Sequence, residues 1–267
     1  MFPIGIRTDF ASLPEVAGLG YDYVELPLNA LAALTEGEFE EFAAYAEGAG
    51  IRVAACSDML PDDLPITGPR VNATALHGYL KHALGRARRL GVGVVTLDAA
   101  KSRDVPPEAD FAFAWRQLGN FLRLTQGHAK ACGVTVALEP LRKADCRLMN
   151  LVSEATLIGG LLQLDHIAVA AHWGSMSMAS EPMSALRQAA PLLRHVHLEN
   201  ALNRRLPKPG DGEDYARILR VLSDIDYRFG VTLRGEITPR YPAEAREAAA
   251  HIRALQPPAP QPASPNP

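Results

Sequence analysis

Short runs of apolar residues alternate, along almost the whole chain, with longer stretches in which apolar positions recur every three to four residues. The short runs read as strands covered on both faces and the longer stretches as helices packed against them, the pattern of repeated βα units around a parallel sheet. Eight strand candidates stand out, at 3–7, 23–26, 52–56, 92–97, 134–138, 167–171, 194–198 and 231–235. Between them run helical stripes such as Leu76, Leu80, Ala83, Leu84, Ala87 and Leu90, or Phe111, Trp115, Leu118, Leu122 and Ala129. Asn72 is placed to cap the first of these helices at its N-terminus, and Gly91 and Gly133 fall where left-handed C-terminal caps belong. Eight βα units predict a closed (β/α)8 TIM barrel, α/β in class and a single domain over 1–255. No GxGxxG follows the first strand, which argues against an open dinucleotide-binding sheet. In the last twelve residues, 256–267, six are proline. That stretch cannot hold a helix or a ladder strand and reads as a disordered tail.

Composition adds limits to this picture. With 267 residues, 48% of them hydrophobic and 21% charged, the chain is long enough for one barrel with a full core. The three cysteines, Cys56, Cys132 and Cys146, are too few and odd in number for a disulfide scaffold and suit a reducing compartment. The N-terminus has no basic segment followed by a long apolar one, and no apolar run reaches about 18 residues, so a cytoplasmic protein that does not enter a membrane is expected. A formal charge of −3 gives no electrostatic footprint for nucleic acid.

The chemistry of such a barrel sits at the C-terminal ends of its strands. Strand five ends in Glu139, strand six in His172, strand seven carries His195 and His197, and strand eight ends in Glu236. His195 and His197 share a strand face, and His197, nearer the mouth, is the preferred ligand, whereas His195 suits a hydrogen-bonded core position. Glu139, His172, His197 and Glu236 together offer two carboxylates and two imidazoles at successive strand ends. That set fits one divalent transition metal better than calcium. Arg7, Glu25, Asp58 and Asp98, near the ends of the early strands, are read as mouth-lining or structural polar groups, and Cys56 has no histidine beside it to make it a nucleophile.

Several motifs carry a resemblance: Ala137-Leu138-Glu139-Pro140-Leu141 with Asn150, then His195-Val196-His197-Leu198-Glu199-Asn200, Pro209-Gly210-Asp211-Gly212, and Gly235-Glu236. Over residues 3–254 the chain resembles the xylose isomerase-like TIM-barrel superfamily of sugar isomerases and epimerases, in particular the branch of ketose 3-epimerases and hydroxypyruvate isomerases. The resemblance implies a metal held by Glu139, His197 and Glu236, with His172 in the place of the family's aspartate. The ion expected is Mn²⁺ first, with Co²⁺, Mg²⁺ or Zn²⁺ as alternatives. It also implies that Glu139 and Glu236 exchange the substrate proton, that Arg204 grips substrate oxygens, and that Asp145 stands for a substrate-binding glutamate. The family's Asp-x-x-His after strand six reads His172-Trp173-Gly174-Ser175 here, so Ser175 replaces a substrate-seating histidine and the ligand set loses one negative charge. A homodimer is a further implication of the family.

The expected activity is isomerisation or epimerisation of a sugar or hydroxy-keto acid through an enediolate. Two other readings stand beside it: a metal-dependent dehydratase or lyase, in which Trp173 stacks on a ring-bearing substrate, and a noncatalytic sugar-binding relative. Endonuclease IV-type repair is disfavoured, since His77 and His82 fall within a helix and the groove is not basic.

Overall fold

The computed structural model describes residues 1–105 and 108–257. Eight strands, β1 (Ile4–Arg7), β2 (Tyr23–Pro27), β3 (Val53–Ser57), β4 (Val94–Leu97), β5 (Thr135–Leu138), β6 (Ile167–His172), β7 (Leu193–Leu198) and β8 (Gly230–Leu233), form a closed parallel barrel in chain order. Helices such as Ala73–Arg89, Phe111–Cys132 and Tyr241–Leu255 pack outside it. The TIM barrel expected from the alternating pattern is therefore the fold. The Asn72 side chain accepts from the backbone N–H of Ala75, and Gly133 closes its helix at φ 67°. All three cysteines are free, and no described helix is long and apolar enough to cross a membrane. The proline-rich segment from 258 onward lies outside the described residues.

Alternation along the strands divides two apolar layers. Val136, Leu138, Val169, Ala171, Val196 and Leu198 join the main core beneath the helices. Ala137, Ala168 and Ala170 form a separate small cluster inside the barrel, with Val94 against it. Tyr23 fills the lower interior, and it has room only because Gly5 and Gly230 on the flanking strands lack side chains: a Cβ at either would overlap the phenol. Gly5→Ala is expected to destabilise the fold by about 1–3 kcal/mol through this overpacking. A chemical-denaturation midpoint measured for the variant checks it, and an unchanged midpoint would mean that Tyr23 moves freely.

Register sets the level of each residue at the mouth. Leu97 pairs with Leu138, and Leu198 with Leu233. The residues that follow these strand ends therefore enter the mouth as two neighbouring pairs, Asp98 beside Glu139 and Glu199 beside Arg234. β8 ends at Leu233, two residues earlier than the pattern 231–235 predicts. Arg234, the first residue beyond β8, reaches Glu139 with its side chain.

Candidate active site at the barrel mouth

A continuous polar chain runs up the barrel interior. Tyr23 Oη lies 2.8 Å from Thr232 Oγ1, which lies 3.0 Å from His195 Nε2. His195 Nε2 is 2.8 Å from Glu25 Oε2, and His197 Nε2 is 2.9 Å from Glu25 Oε1. His197 Nδ1 then meets Glu139 Oε2 at 2.6 Å, and Arg234 Nη1 donates to Glu139 Oε1 at 3.1 Å and to Asp98 Oδ2 at 3.2 Å. Glu25, His195, His197 and Glu139 are at most 1% exposed.

Burial alone would favour neutral groups here, and the alternation of sign reverses that. Desolvation works to lower His197, but the Glu139 and Glu25 carboxylates on its two ring nitrogens raise it to about 10. Desolvation likewise works to raise Glu139, but His197 and Arg234 bring it down to about 2. Glu25 is held well below the usual carboxylate range by His197 and His195 against the same desolvation. Charges therefore cancel along the series Glu25, His197, Glu139, Arg234. Asp98 departs from the series: desolvation, then the Asp58 and Glu139 charges, push it up to about 7. Its Oδ1 is buried without a partner, as are Arg7 Nε and Ser57 Oγ at the neighbouring ends of β1 and β3. Buried polar atoms left unpaired are costly, and three of them around one mouth are what a polyhydroxy ligand would satisfy.

The strand ends are fixed from outside by Arg103, fully buried, whose Nη1 donates to the Leu97 carbonyl at 2.9 Å and Nη2 to that of Glu139 at 2.5 Å. One guanidinium thereby sets the spacing of Asp98 and Glu139. On the other side of the mouth, Arg142 Nη2 donates to Glu199 Oε1 at 2.5 Å, and His172 Nε2 stands 3.6 Å from the same oxygen. Desolvation would raise Glu199, but His172, Arg234 and Arg142 hold it at about 2.

The site residues expected from sequence are only partly brought together. Glu139 and His197 are in direct contact. The His172 ring centroid is 5.9 Å from that of His197, and its Nδ1 accepts from the backbone N–H of Ser175, so it caps the short helix Trp173–Met178. Trp173 is buried, its indole N–H donating to Glu213 Oε2 at 2.7 Å. Arg204 and Asp145 bind each other, Nη2 reaching both carboxylate oxygens at 2.7 and 2.6 Å, and so tie the loop after β7 to the loop after β5. Glu236 is exposed among Arg205, Arg240 and Glu244 in a cavity of about 370 Å³ beside the mouth. Its backbone N–H is held by the Arg204 carbonyl at 3.0 Å.

Of the expected four donors, Glu236 therefore lies apart from Glu139, His172 and His197, and the Arg234 guanidinium stands beside Glu139. A divalent ion about 4 Å from this guanidinium would be repelled by about 8 kcal/mol at an effective dielectric constant near 20. The residues at the mouth do not fit the ion. Deeper in the barrel, Glu25, His195 and His197 offer donor atoms all within 4.8 Å of one another, a donor set that could hold a metal. All three are at most 1% exposed.

Residues 13–255 match the family described as xylose isomerase-like TIM barrel. The chain is 28% identical over 233 residues to the D-psicose 3-epimerase of Ruminiclostridium cellulolyticum, covering 83% of this chain and 76% of that one. Among solved structures it resembles D-psicose 3-epimerase from Clostridium cellulolyticum H10, with TM-score 0.84, 19% identity and 95% and 99% of the two chains covered. It also resembles 3-keto-D-glucoside 4-epimerase from E. coli, with TM-score 0.80, 21% identity and 95% and 100% covered.

Proposed function

The chain belongs to the xylose isomerase-like TIM barrel family, and from that premise we propose that it is a sugar isomerase or epimerase acting on a polyhydroxy ketone. The observation that carries this reading is the pair of carboxylates, Asp98 and Glu139, held on one guanidinium nitrogen at the mouth, with Asp98 Oδ1 left unpartnered. Glu139, anchored by His197 and Arg234, stays ionised and fixes the geometry. Asp98, at about 7, changes protonation near neutrality and is the group suited both to take and to return a proton. It accepts the proton from the carbon beside the carbonyl, leaving an enediolate, and gives it back to the adjacent carbon on the same face; inversion at the first carbon takes its proton from the opposite face. Substrate hydroxyls satisfy Ser57 Oγ and Arg7 Nε. Mn²⁺ and the other ions implied by the resemblance have no part in these steps.

The reading is tested by incubation with D-psicose, D-tagatose and L-ribulose in deuterium oxide. Expected is carbon-bound deuterium in substrate and a product of the same carbon skeleton. Loss of water from the substrate would replace isomerase by lyase, and no exchange on any ketose would remove the proposal. Glu236→Gln, outside the cluster, is expected to keep kcat within about threefold, the range of an ordinary surface change of up to ±0.5 kcal/mol. A loss of several hundredfold would return Glu236 to the reacting centre.

A further inference from the structure

We propose that the guanidinium of Arg234 takes the place of a divalent metal at the barrel mouth, so that this protein handles its substrate without a bound metal ion. The proposal rests on the isomerase reading for what the cation acts on, but not for the presence of the cation. Arg234 follows β8, and its side chain reaches Asp98 and Glu139, the carboxylates that follow β4 and β5. Its Nη1 does what an ion would do there, binding Glu139 and Asp98 together and standing 3.4 Å from His197 Nδ1. The two cations tolerate that approach because Glu139 lies against both.

The turn that follows keeps this arrangement in place. A Cβ on Gly235 would overlap the backbone of Leu206, so the chain beyond Arg234 lies flat on the β7 loop. The Glu236 amide is bonded to that loop, and its carboxylate is carried outward.

Among the described residues, Arg234 Nε and Nη2 have no hydrogen-bond partner, and the side chain is 18% exposed. A guanidinium offers two parallel N–H groups along such an edge, a geometry matched by two coplanar oxygens. An α-hydroxy ketone supplies them as adjacent carbonyl and hydroxyl. When the C–H proton leaves for Asp98, the electron pair forms the carbon–carbon double bond and the carbonyl oxygen takes the negative charge beside Arg234. Return of the proton to carbon reverses the charge shift, and nothing is oxidised. A preorganised cation at the developing oxyanion is the largest single contribution such a site makes.

The test uses the full chain and each metal alone. After dialysis against chelator, elemental mass spectrometry is expected to find well below one equivalent of transition metal, and Mn²⁺, Co²⁺ or Zn²⁺ is expected to leave the melting temperature unchanged, since only a ligand of the native state raises it. One retained equivalent, or a rise with any of the three, overturns the proposal wherever the ion sits. Arg234→Glu, or Arg234→Gln if the first does not fold, is expected to gain a Co²⁺-dependent visible spectrum and a Co²⁺-dependent rise in melting temperature. A folded variant without that gain shows that Arg234 is not what excludes the ion, and the assignment falls. Absence of deuterium exchange in a metal-free protein would sink the isomerase reading alone. Exchange that a chelator abolishes would sink only the present inference.

Discussion

Asp98→Asn is expected to lower kcat by about 10²–10⁴-fold, the usual contribution of a positioned general base. The acid limb of the wild-type pH–rate profile, half-maximal near the Asp98 value of about 7, should vanish with it. Stability should move the other way. The folded-state value of Asp98 is raised from 3.8, so the fold favours the protonated acid, and stability is lost as pH rises from about 3.8 to about 7. Asparagine, neutral at every pH and still able to accept from Arg234, lacks that loss, and the variant should melt at or above the wild-type temperature at pH 8. A variant that is less active and at least as stable separates a reacting carboxylate from a structural one. Equal falls in activity and melting temperature would make Asp98 structural.

His197→Ala should have the largest effect on stability. It leaves the Glu25 and Glu139 carboxylates buried without the cation between them, and breaking a buried pair in this way costs about 3–5 kcal/mol. In a chain of this size that corresponds to a fall of roughly 10 °C in melting temperature, read by calorimetry. The pH dependence supplies the sign. His197 is raised from 6.5 to about 10, so its contribution is complete below pH 6.5 and is lost as pH rises through about 10. Glu139 is lowered from 4.5 to about 2, so its contribution is complete above pH 4.5 and is lost as pH falls through about 2. Both are complete between pH 4.5 and 6.5. The difference between wild type and variant should be greatest in that window and shrink toward pH 10; a difference independent of pH would leave only lost packing.

The fold was legible because its signal is periodic and local. The helix beginning at Asn72, the cap at Gly133 and the eight apolar runs each declare themselves within about twenty residues. The alternation that placed His195 and His197 on one face extends to Glu199, which joins the same polar layer. At β8 the local signal is not enough. Gly235-Glu236 matches the family's pattern in letters, whereas the strand stops two residues earlier, and each strand residue carries a side chain about 3.3 Å along the barrel. Arg234 at a strand end looks like a surface arginine until the fold brings its Nη1 onto Glu139 and Asp98. Glu25 and Asp98 were visible as polar residues near strand ends, but their partners lie far away: Glu25 meets His197 across 172 positions, and Arg234 meets Asp98 across 136. Arg103 gives no sequence signal for its role, because it acts on backbone carbonyls.

The polar chain from Tyr23 to Asp98 also bears on how the barrel assembles. Its members come from β2, β4, β5, β7 and β8, and several of its contacts join strands far apart in the sequence. A partly closed barrel missing β2 would bury His195 and His197 without Glu25, and one missing β7 would bury two carboxylates without an imidazole. Half-assembled states of this molecule are thus penalised by unpaired charge, while ordinary apolar collapse would tolerate them. The interior acts as a checkpoint on closure, so that docking of the last of these five strands is rewarded most when the other four are already in register.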